Sequence, residues 1–329
     1  MAVYTFLDET QIEDFLSQYD IGTLISAKGI AEGVENSNYL ITTQHQDAQS
    51  NYILTLFEKR VNPDDLPFFL GLMQHLAQKN IPCPQPILDQ NNVMLKTLAG
   101  RKAVIVSFLN GLCKRQPKKQ HCAQLGEHLA QMHLSCADFK LRLDNKQNPE
   151  TWRKLTDLCS PKADNVKAGL SSVITNEMDH LMRAWPHDKA QHPTLSHGIC
   201  HADLFPDNVF FIGDQLSGFI DFYFACNDYH AYDLAICLNS WCFEKDYSFN
   251  LTLARALLDG YQKIRPLTQD EKAFFPLFAR GAAFRFLMTR LYDWINHPPN
   301  ALVTPHDPLI FYHYLNFHIH AKSPADYGL

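Results

Sequence analysis

The sequence predicts an α+β protein of two lobes, with a small antiparallel-sheet lobe at residues 1–107 and a large helical lobe at residues 108–329. Short segments rich in β-branched and aromatic residues, separated by polar turns, are concentrated in the first part of the chain. Longer segments whose apolar residues recur at three- and four-residue steps follow them. The 46% hydrophobic content is high enough to bury a large core.

The first lobe is predicted to combine helices with antiparallel strands. Its predicted elements, in chain order, are a helix at 10–19, strands at 38–43 and 52–57, a helix at 63–79, and strands at 93–95 and 103–108. Asp8 and Thr10 are possible caps of the first helix, because their side chains can accept hydrogen bonds from backbone N–H groups. The second helix is expected to end before Pro82, since proline removes a backbone donor and favours extended structure in the preceding residue.

The second lobe is predicted to consist of long helices with one strand-rich interruption at residues 198–222. The predicted helices are at 120–134, 170–185, 250–264 and 273–294. The segment 109–119 is a candidate hinge. A cleft between two such lobes is where small ligands usually bind.

Charge and composition exclude several classes of function. The net charge is −6 and the one basic cluster lies between Lys114 and Lys119, so no nucleic-acid partner is expected. The first 20 residues contain acids and no long apolar run, which is unlike a signal peptide, and no segment is long enough to cross a membrane. The 9 cysteines form no C-x-x-C pair, which indicates reduced thiols in a cytoplasmic protein.

The strand-rich interruption carries the chemistry. His201, Asp203 and Asn208 have the spacing H-x-D-x-x-x-x-N, and a predicted hairpin leads from them to Asp221 at the end of an apolar strand. Phosphoryl transfer needs a carboxylate that orients the acceptor and oxygen ligands that hold Mg²⁺. Asp and Asn are also common in solvated turns, but the joint spacing between two strands favours a kinase.

This motif resembles the aminoglycoside phosphotransferase/choline kinase branch of the protein-kinase-like fold. In that branch the catalytic loop reads H-G-D-x-x-x-x-N, and the metal-binding acid, which is called the metal acid below, follows an apolar strand. Segments 200–211, 218–228 and 232–239 resemble more closely the bacterial homoserine kinase family of this branch. Similarity extends to segments 33–40, 52–59 and 280–294, so it covers nearly the whole chain. The resemblance implies a protein-kinase-like two-lobed fold, ATP and Mg²⁺ as cofactors, and L-homoserine as the small-molecule substrate, in a step toward threonine.

The resemblance also implies a role for each residue of the motif. Asp203 would accept the proton of the acceptor hydroxyl, and Asn208 and Asp221 would hold Mg²⁺. His201 would brace the backbone of the loop. Asp233 would brace the loop by hydrogen bonds, or it is an ordinary acid in the first turn of a helix.

The chain departs from this family where the phosphates of ATP should be held. Thr55 stands where kinases of this fold place a lysine, so Lys59, Arg60 or Lys28 is a candidate replacement, unless these side chains are simply solvated. The phosphate-covering loop is unlike G-x-G-x-x-G and is expected between two strands, where it forms a phosphate cradle or a plain hairpin turn. The candidate residues for nucleotide binding are Gly33, Asn36, Ser37, Asn38, Lys59, Ser107 and Leu109.

An arginine is the expected partner of the acceptor's carboxylate, because its planar fork matches two oxygens. Arg280 lies on the apolar stripe of the last predicted helix and Arg285 lies off it, and both are candidates. Arg280 could instead pair with an internal acid such as Asp233. Three residues after the metal acid either contact the acceptor or shape the loop: Tyr223, Asn227 and Asp228.

Two alternative functions remain open. The acceptor could be another small alcohol, such as choline, a sugar or an aminoglycoside, on the same scaffold. The chain could also be a nucleotide-binding regulator without catalysis, as the missing lysine suggests, although the retained acids argue against it. A transition-metal site is not expected, because the histidines lack paired ligand spacing. The sequence does not predict an oligomeric state.

Overall fold

The chain divides into two compact units in the computed structural model. The first comprises Met1–Gly111, Phe139–Leu141 and Ser217–Tyr223, and the second comprises Leu112–Asp138, Arg142–Leu216 and Phe224–Leu329. The structure describes residues 4–30, 36–58, 61–298, 304–321 and 323–329. The second unit is mostly helical and the first is built on a sheet, as the sequence predicted.

The first unit contains a five-stranded antiparallel sheet in the order β1-β2-β3-β5-β4. Its strands are β1 (Thr23–Gly29), β2 (Asn36–His45), β3 (Ala48–Phe57), β4 (Lys96–Leu98) and β5 (Arg101–Ser107). β4 begins after the predicted segment 93–95, because Asp89 ties the backbone N–H groups of Asn91 and Val93 into a turn.

Two helices belong to the same unit, α1 (Glu9–Leu16) and α2 (Leu66–Gln78). Asp8 caps α1 by accepting a hydrogen bond from the backbone N–H of Gln11 at 2.8 Å, which confirms one of the two predicted caps. The apolar face of α1 packs into a core that includes Phe15, Tyr39 and Leu54. This burial, rather than helix propensity, accounts for the stability of so short a helix.

The second unit is built from helices that surround short strands. The helices are α3 (Lys119–Ser135), α4 (Pro149–Ala163), α5 (Leu170–Ala184), α6 (His230–Trp241), α7 (Leu251–Ile264), α8 (Gln269–Ile295) and α9 (Leu309–His320). The strands are β6 (Leu112–Cys113), β7 (His197–Cys200), β8 (Val209–Ile212), β9 (Gln215–Phe219) and β10 (Cys226–Tyr229), of which β9 leads back into the first unit. β7 pairs with β10 and β6 pairs with β8, both antiparallel.

Helices α3 and α7 pack closely because glycines face backbone at the contact. A Cβ on Gly126 would lie 2.1 Å from the carbonyl oxygen of Leu257, and a Cβ on Gly260 would lie 2.2 Å from that of Ala123. Any side chain at these positions would force the helices apart. The close contact fixes α3, which carries His133 toward the centre of the unit.

The sequence analysis missed α4 and α9. Pro149 occupies the first turn of α4, where no backbone donor is needed, Asn148 caps the helix, and Pro161 lies inside it. All nine cysteines are free thiols, and seven of them are buried. In the described residues, no helix is both long and apolar enough to cross a membrane.

Candidate active site

The predicted catalytic motif forms a closed turn between β7 and β8. The backbone carbonyl of Asp203 accepts hydrogen bonds from the backbone N–H of Phe205 and from the amide nitrogen of Asn208, both at 2.8 Å. The same amide nitrogen lies 3.2 Å from Oδ2 of Asp203. The two side chains therefore meet, and the amide oxygen of Asn208, which is the atom able to ligate a cation, takes no part in these two bonds.

The residue before Asp203 is held in a strained conformation. Ala202 has a φ of 63°, in the left-handed region that costs a residue with a Cβ about 1–2 kcal/mol and that glycine adopts freely. Its backbone N–H donates to Oδ1 of Asp233 at 2.8 Å, and its carbonyl accepts from Nη1 of Arg285 at 2.7 Å. The backbone N–H of His201 donates to Oδ2 of Asp233, also at 2.8 Å. Asp233 in α6 and Arg285 in α8 thus hold the peptide on both sides.

Asp233 is itself supported by a buried polar chain. Nε2 of His133 lies 2.9 Å from Oδ2 of Asp233, and Nδ1 of His133 lies 2.7 Å from the hydroxyl of Tyr261. Arg265 donates to that hydroxyl at 3.3 Å and to Glu271 at 2.6 Å. Burial and the nearby Arg265 hold the pKa of His133 well below its ordinary value, so the ring is neutral. A neutral ring that donates to the carboxylate must accept from the tyrosine, so the three hydrogen bonds from Arg265 through Tyr261 and His133 to Asp233 all run in the same direction.

Burial raises the pKa of Asp233, whereas His201 and the two backbone N–H groups oppose the rise. Asp233 lies in the first turn of α6, as the sequence indicated, and contacts the loop directly. The carboxylate of Asp233 accepts hydrogen bonds from the backbone N–H groups of His201 and Ala202, which is the kind of contact expected of a residue that braces the loop.

The predicted metal acid Asp221 follows β9 in the first unit. Asp221 is exposed and also has a left-handed backbone, with a φ of 62°. Tyr223 packs edge-on against the rings of Phe57 and Phe69, with ring centroids 5.1 and 5.8 Å apart. Burial raises the pKa of Tyr223, and the carboxylate of Asp221 adds to the rise. Tyr223 is therefore packed into the first unit two residues after the acid.

Each of the two predicted metal ligands fits Mg²⁺ by its own chemistry. Asn208 and Asp221 offer an amide oxygen and a carboxylate, which are hard ligands suited to that ion. The hydrogen bonds from Nδ2 of Asn208 to Asp203 fix which end of the amide is available for a cation.

A buried cluster of His133, Cys200 and Asp233 has a spacing that could hold a metal, but its donors are committed. Both oxygens of Asp233 accept hydrogen bonds from the loop backbone, and burial raises the pKa of Cys200 well above its ordinary value, so the thiol stays protonated.

The expected phosphate-covering loop was predicted wrongly in part. Asn36, Ser37 and Asn38 belong to strand β2 and pair with β3, and neighbouring residues of the same unit take up their polar groups. The hydroxyl of Ser37 accepts from the backbone N–H groups of two N-terminal residues and donates to Glu58 at 2.8 Å. Gly33 and Lys59 lie outside the described residues.

Thr55, at the place of the kinase lysine, is buried and donates to Oδ1 of Asn38 at 2.8 Å. The other two nucleotide candidates lie near the end of β5. The hydroxyl of Ser107 accepts a hydrogen bond from the backbone N–H of Gln85 at 2.8 Å, and Leu109 lies beside Gly218.

Asn227 and Asp228 are bound to the segment that follows α3. The side-chain oxygen of Asn227 accepts from the backbone N–H of Leu143 at 2.9 Å, and Oδ2 of Asp228 accepts from the amide of Asn145 at 2.7 Å. Burial raises the pKa of Asp228, and Lys189, 3.8 Å away, opposes the rise. The sequence analysis left open whether Asn227 and Asp228 contact the acceptor or shape the loop. These contacts match the second alternative.

The two candidate arginines are placed contrary to the stripe prediction. Arg285, expected off the buried stripe, is only 2% exposed, while Arg280 is less buried and forms an ion pair with Glu177 of α5 through two nitrogens. Helix α8 is buried on all sides near Arg285, so a one-stripe pattern does not apply. Arg280 therefore pairs with an internal acid, as one alternative predicted, but that acid is the buried Glu177 and not the suggested Asp233.

The sequence analysis missed one arginine of α8. The guanidinium of Arg290 lies over the rings of Phe205 in the catalytic turn and Phe311 in α9. Arg280, Arg285 and Arg290 are spaced five residues apart. Because a helix has 3.6 residues per turn, this spacing places the three arginines on three different faces of α8.

Comparison with known proteins identifies close relatives. Residues 26–267 match the model of the phosphotransferase enzyme family. The chain is 54% identical to the homoserine kinase of Rhodospirillum rubrum and 56% identical to that of Parvibaculum lavamentivorans, over 100% of this chain and 99% of each relative. Among solved structures, it resembles an amicoumacin kinase in complex with AMP-PNP and Ca²⁺ (TM-score 0.70, 15% identity, 97% of this chain and 95% of the other). It also resembles a choline kinase from Cryptosporidium parvum (TM-score 0.69, 18% identity, 94% and 95%). These structures establish the protein-kinase-like fold.

Proposed function

The chain belongs to the phosphotransferase enzyme family, and we propose that it is a homoserine kinase that converts ATP and L-homoserine to ADP and O-phospho-L-homoserine. The assignment of L-homoserine as the substrate rests on sequence identity above 50% with curated homoserine kinases over the full length of the chain. The product is a precursor of threonine, so the enzyme acts in amino-acid biosynthesis, and a cytoplasmic location suits its substrates.

The reaction transfers the terminal phosphoryl group of ATP to the side-chain hydroxyl of L-homoserine. Asp203 accepts a hydrogen bond from that hydroxyl and takes its proton as the new O–P bond forms and the bond to ADP breaks. Asn208, whose amide is fixed by Asp203, and Asp221 are the proposed Mg²⁺ ligands. When bound, Mg²⁺ supplies positive charge to the phosphate oxygens.

The brace explains how Asp203 is positioned. The backbone just before it is held by Asp233 and Arg285, so the carboxylate approaches the acceptor from a fixed peptide. Positioning of this kind lowers the barrier because little reorganisation is left for the reaction itself.

Phosphate contacts differ from those of lysine-containing kinases. Thr55 offers a hydroxyl bonded to Asn38 and no charge, so the positive charge toward ATP must come from elsewhere in the chain. Lys59 stays the proposed replacement, together with backbone groups near Gly33.

Asp203→Ala tests the proposal in a coupled ADP-release assay with L-homoserine. We expect the variant to lose about 10²- to 10⁴-fold in kcat, the range for a general base, while still binding Mg·ATP in calorimetry. Asp157→Asn, an exposed acid of α4, is the matched control and should leave kcat unchanged. An unchanged rate in Asp203→Ala would rule out the assigned base.

A panel of acceptors separates the rival functions. Wild-type enzyme should phosphorylate L-homoserine much faster than choline, a hexose or an aminoglycoside. Strong activity on choline with none on homoserine would move the assignment to another alcohol kinase. Nucleotide binding without turnover of any acceptor would favour a regulator.

A further inference from the structure

Arg290 of helix α8 is a half-buried cation that lies against two aromatic rings. Its guanidinium carbon lies 4.6 Å from the centre of the Phe311 ring and 5.8 Å from that of Phe205. Within the described part of the chain, no acid comes close enough to form an ion pair with it. Taking a charge out of water without a partner is unfavourable, so the site suits a ligand that supplies an anion.

The other two arginines of α8 each have a hydrogen-bonded partner. Arg280 binds Glu177 through two nitrogens, and Arg285 donates through Nη1 to the carbonyl of Ala202, while the buried Nε of Arg285 has no partner among the described residues. In the same part of the chain, Arg290 has neither kind of partner. Its contacts with two aromatic faces hold the plane of the guanidinium while leaving the edge donors for another group.

Arg290 lies in the electrostatic neighbourhood of the catalytic carboxylate. Phe205, whose ring it contacts, donates its backbone N–H to the carbonyl of Asp203 at 2.8 Å. Burial lowers the pKa of Arg290, and four groups that face it oppose that effect. These groups come from the catalytic turn, from the segment before α9 and from α9 itself: Tyr314, Asp203, Asp207 and Asp307. A guanidinium stays charged in any case.

We propose that Arg290 binds the α-carboxylate of the acceptor while Asp203 binds its hydroxyl, an inference that rests on the proposed homoserine kinase function. In an extended L-homoserine the hydroxyl oxygen and the carboxylate carbon are about 5 Å apart by ordinary bond lengths. One molecule can therefore span a base and a cation on neighbouring elements. The planar fork of arginine matches both carboxylate oxygens. The acids Asp207 and Asp307 suit the ammonium group of the same zwitterion.

The consequence is selection among alcohols. A site with a cation beside the base favours an amino acid over a neutral sugar or a cationic choline. Of these three acceptors, only the amino acid has a carboxylate that can pair with the guanidinium of Arg290. Specificity built on a polar group is strong, since an acceptor without it leaves the buried charge unpaired.

The test compares two acceptors in Arg290→Met and Arg290→Lys enzymes. L-Homoserine carries the carboxylate, and 3-aminopropan-1-ol lacks it. We expect Arg290→Met to lower kcat/KM for L-homoserine by about 10- to 100-fold, with the change mainly in KM, and to change kcat/KM for the amino alcohol by less than about 3-fold. Arg290→Lys keeps the charge without the fork and should fall between. Arg183→Met, an exposed arginine of α5, is the matched control.

The outcomes of this test distinguish failure of the carboxylate role of Arg290 from failure of the proposed function. If wild-type enzyme does not phosphorylate L-homoserine, the proposed function fails before this inference is reached. If it does, an equal loss on both acceptors, or a rise in KM for ATP alone, overturns the carboxylate role. Should Arg290→Met fail to fold, the acceptor ratio in Arg290→Lys decides the matter. Where turnover of the amino alcohol is too slow, its inhibition constant against L-homoserine supplies the same ratio.

Discussion

Replacing Arg285 with methionine removes one side of the clamp on Ala202. The guanidinium is buried and donates to the Ala202 carbonyl at 2.7 Å. Methionine has a similar length and fills the space, but it leaves a buried carbonyl without this donor, which costs about 1–3 kcal/mol. The strain of a left-handed alanine, about 1–2 kcal/mol, then favours movement of the peptide. Since Asp203 is the next residue, we expect kcat to fall by about 10- to 100-fold.

A second substitution separates positioning from other roles. In Ala202→Gly the left-handed backbone is unstrained, so nothing drives the peptide away when Arg285 is removed. We therefore expect Arg285→Met to lower kcat roughly 5- to 30-fold less in the Ala202→Gly background, which corresponds to the strain of about 1–2 kcal/mol. Ala202→Gly alone should stay within about 1 kcal/mol of wild-type stability, because strain relief offsets the added freedom of the unfolded chain.

The assay is a double-mutant cycle in kcat and KM with L-homoserine, with urea unfolding of all four proteins. Losses in kcat that add within about 0.5 kcal/mol would refute the clamp. A rise in KM for L-homoserine that glycine does not correct would instead make Arg285 a substrate ligand, as one reading of the sequence suggested.

Two further predictions concern stability. Gly126→Ala should lower the free energy of unfolding by at least about 2 kcal/mol, because the new Cβ would meet the carbonyl of Leu257 at 2.1 Å; Gln131→Ala on the same helix is the control, and equal stabilities in urea would contradict the close contact. Burial lowers the pKa of His318 to about 3, so its contribution to stability is present above pH 6.5 and is lost as the pH falls below it toward 3. Between pH 7.5 and 5.5 that loss is about 1.4 kcal/mol for one histidine of ordinary unfolded pKa. His318→Gln should therefore be less stable at pH 7.5 but show a pH dependence of unfolding smaller by that amount, and an unchanged pH dependence would show that the ring is not held neutral.

The catalytic turn could be predicted because its contacts are local. Asp203 and Asn208 are five residues apart, and the two hydrogen bonds that join them close within that span. Spacing in the sequence therefore carries most of the geometry. The contact of Asp233 with the same loop spans about thirty residues, and only the resemblance to known kinases suggested it.

The arginines show where pattern reasoning fails. A stripe of apolar residues predicts which face is buried only if the opposite face is solvated. Around Arg285, α8 is buried on all sides, so position relative to the stripe carries no information about burial. The prediction of a phosphate-covering loop at the start of β2 was wrong for a related reason. The partners of Ser37 come from the N-terminal segment and from Glu58, far away in sequence.

The clamp ties the catalytic loop to the helical core of the second unit. Residue 202 is an alanine with a left-handed backbone, so the loop cannot hold this turn by intrinsic preference and depends on Asp233 and Arg285. Asp233 is held in turn by His133 on α3, whose position rests on the glycine contact with α7. A shift of α3 would therefore be transmitted to Asp203 through two hydrogen bonds and one strained peptide. It follows that loosening this helix pair should reduce turnover before it reduces folding, and that glycine at position 202 should make the enzyme more tolerant of such changes.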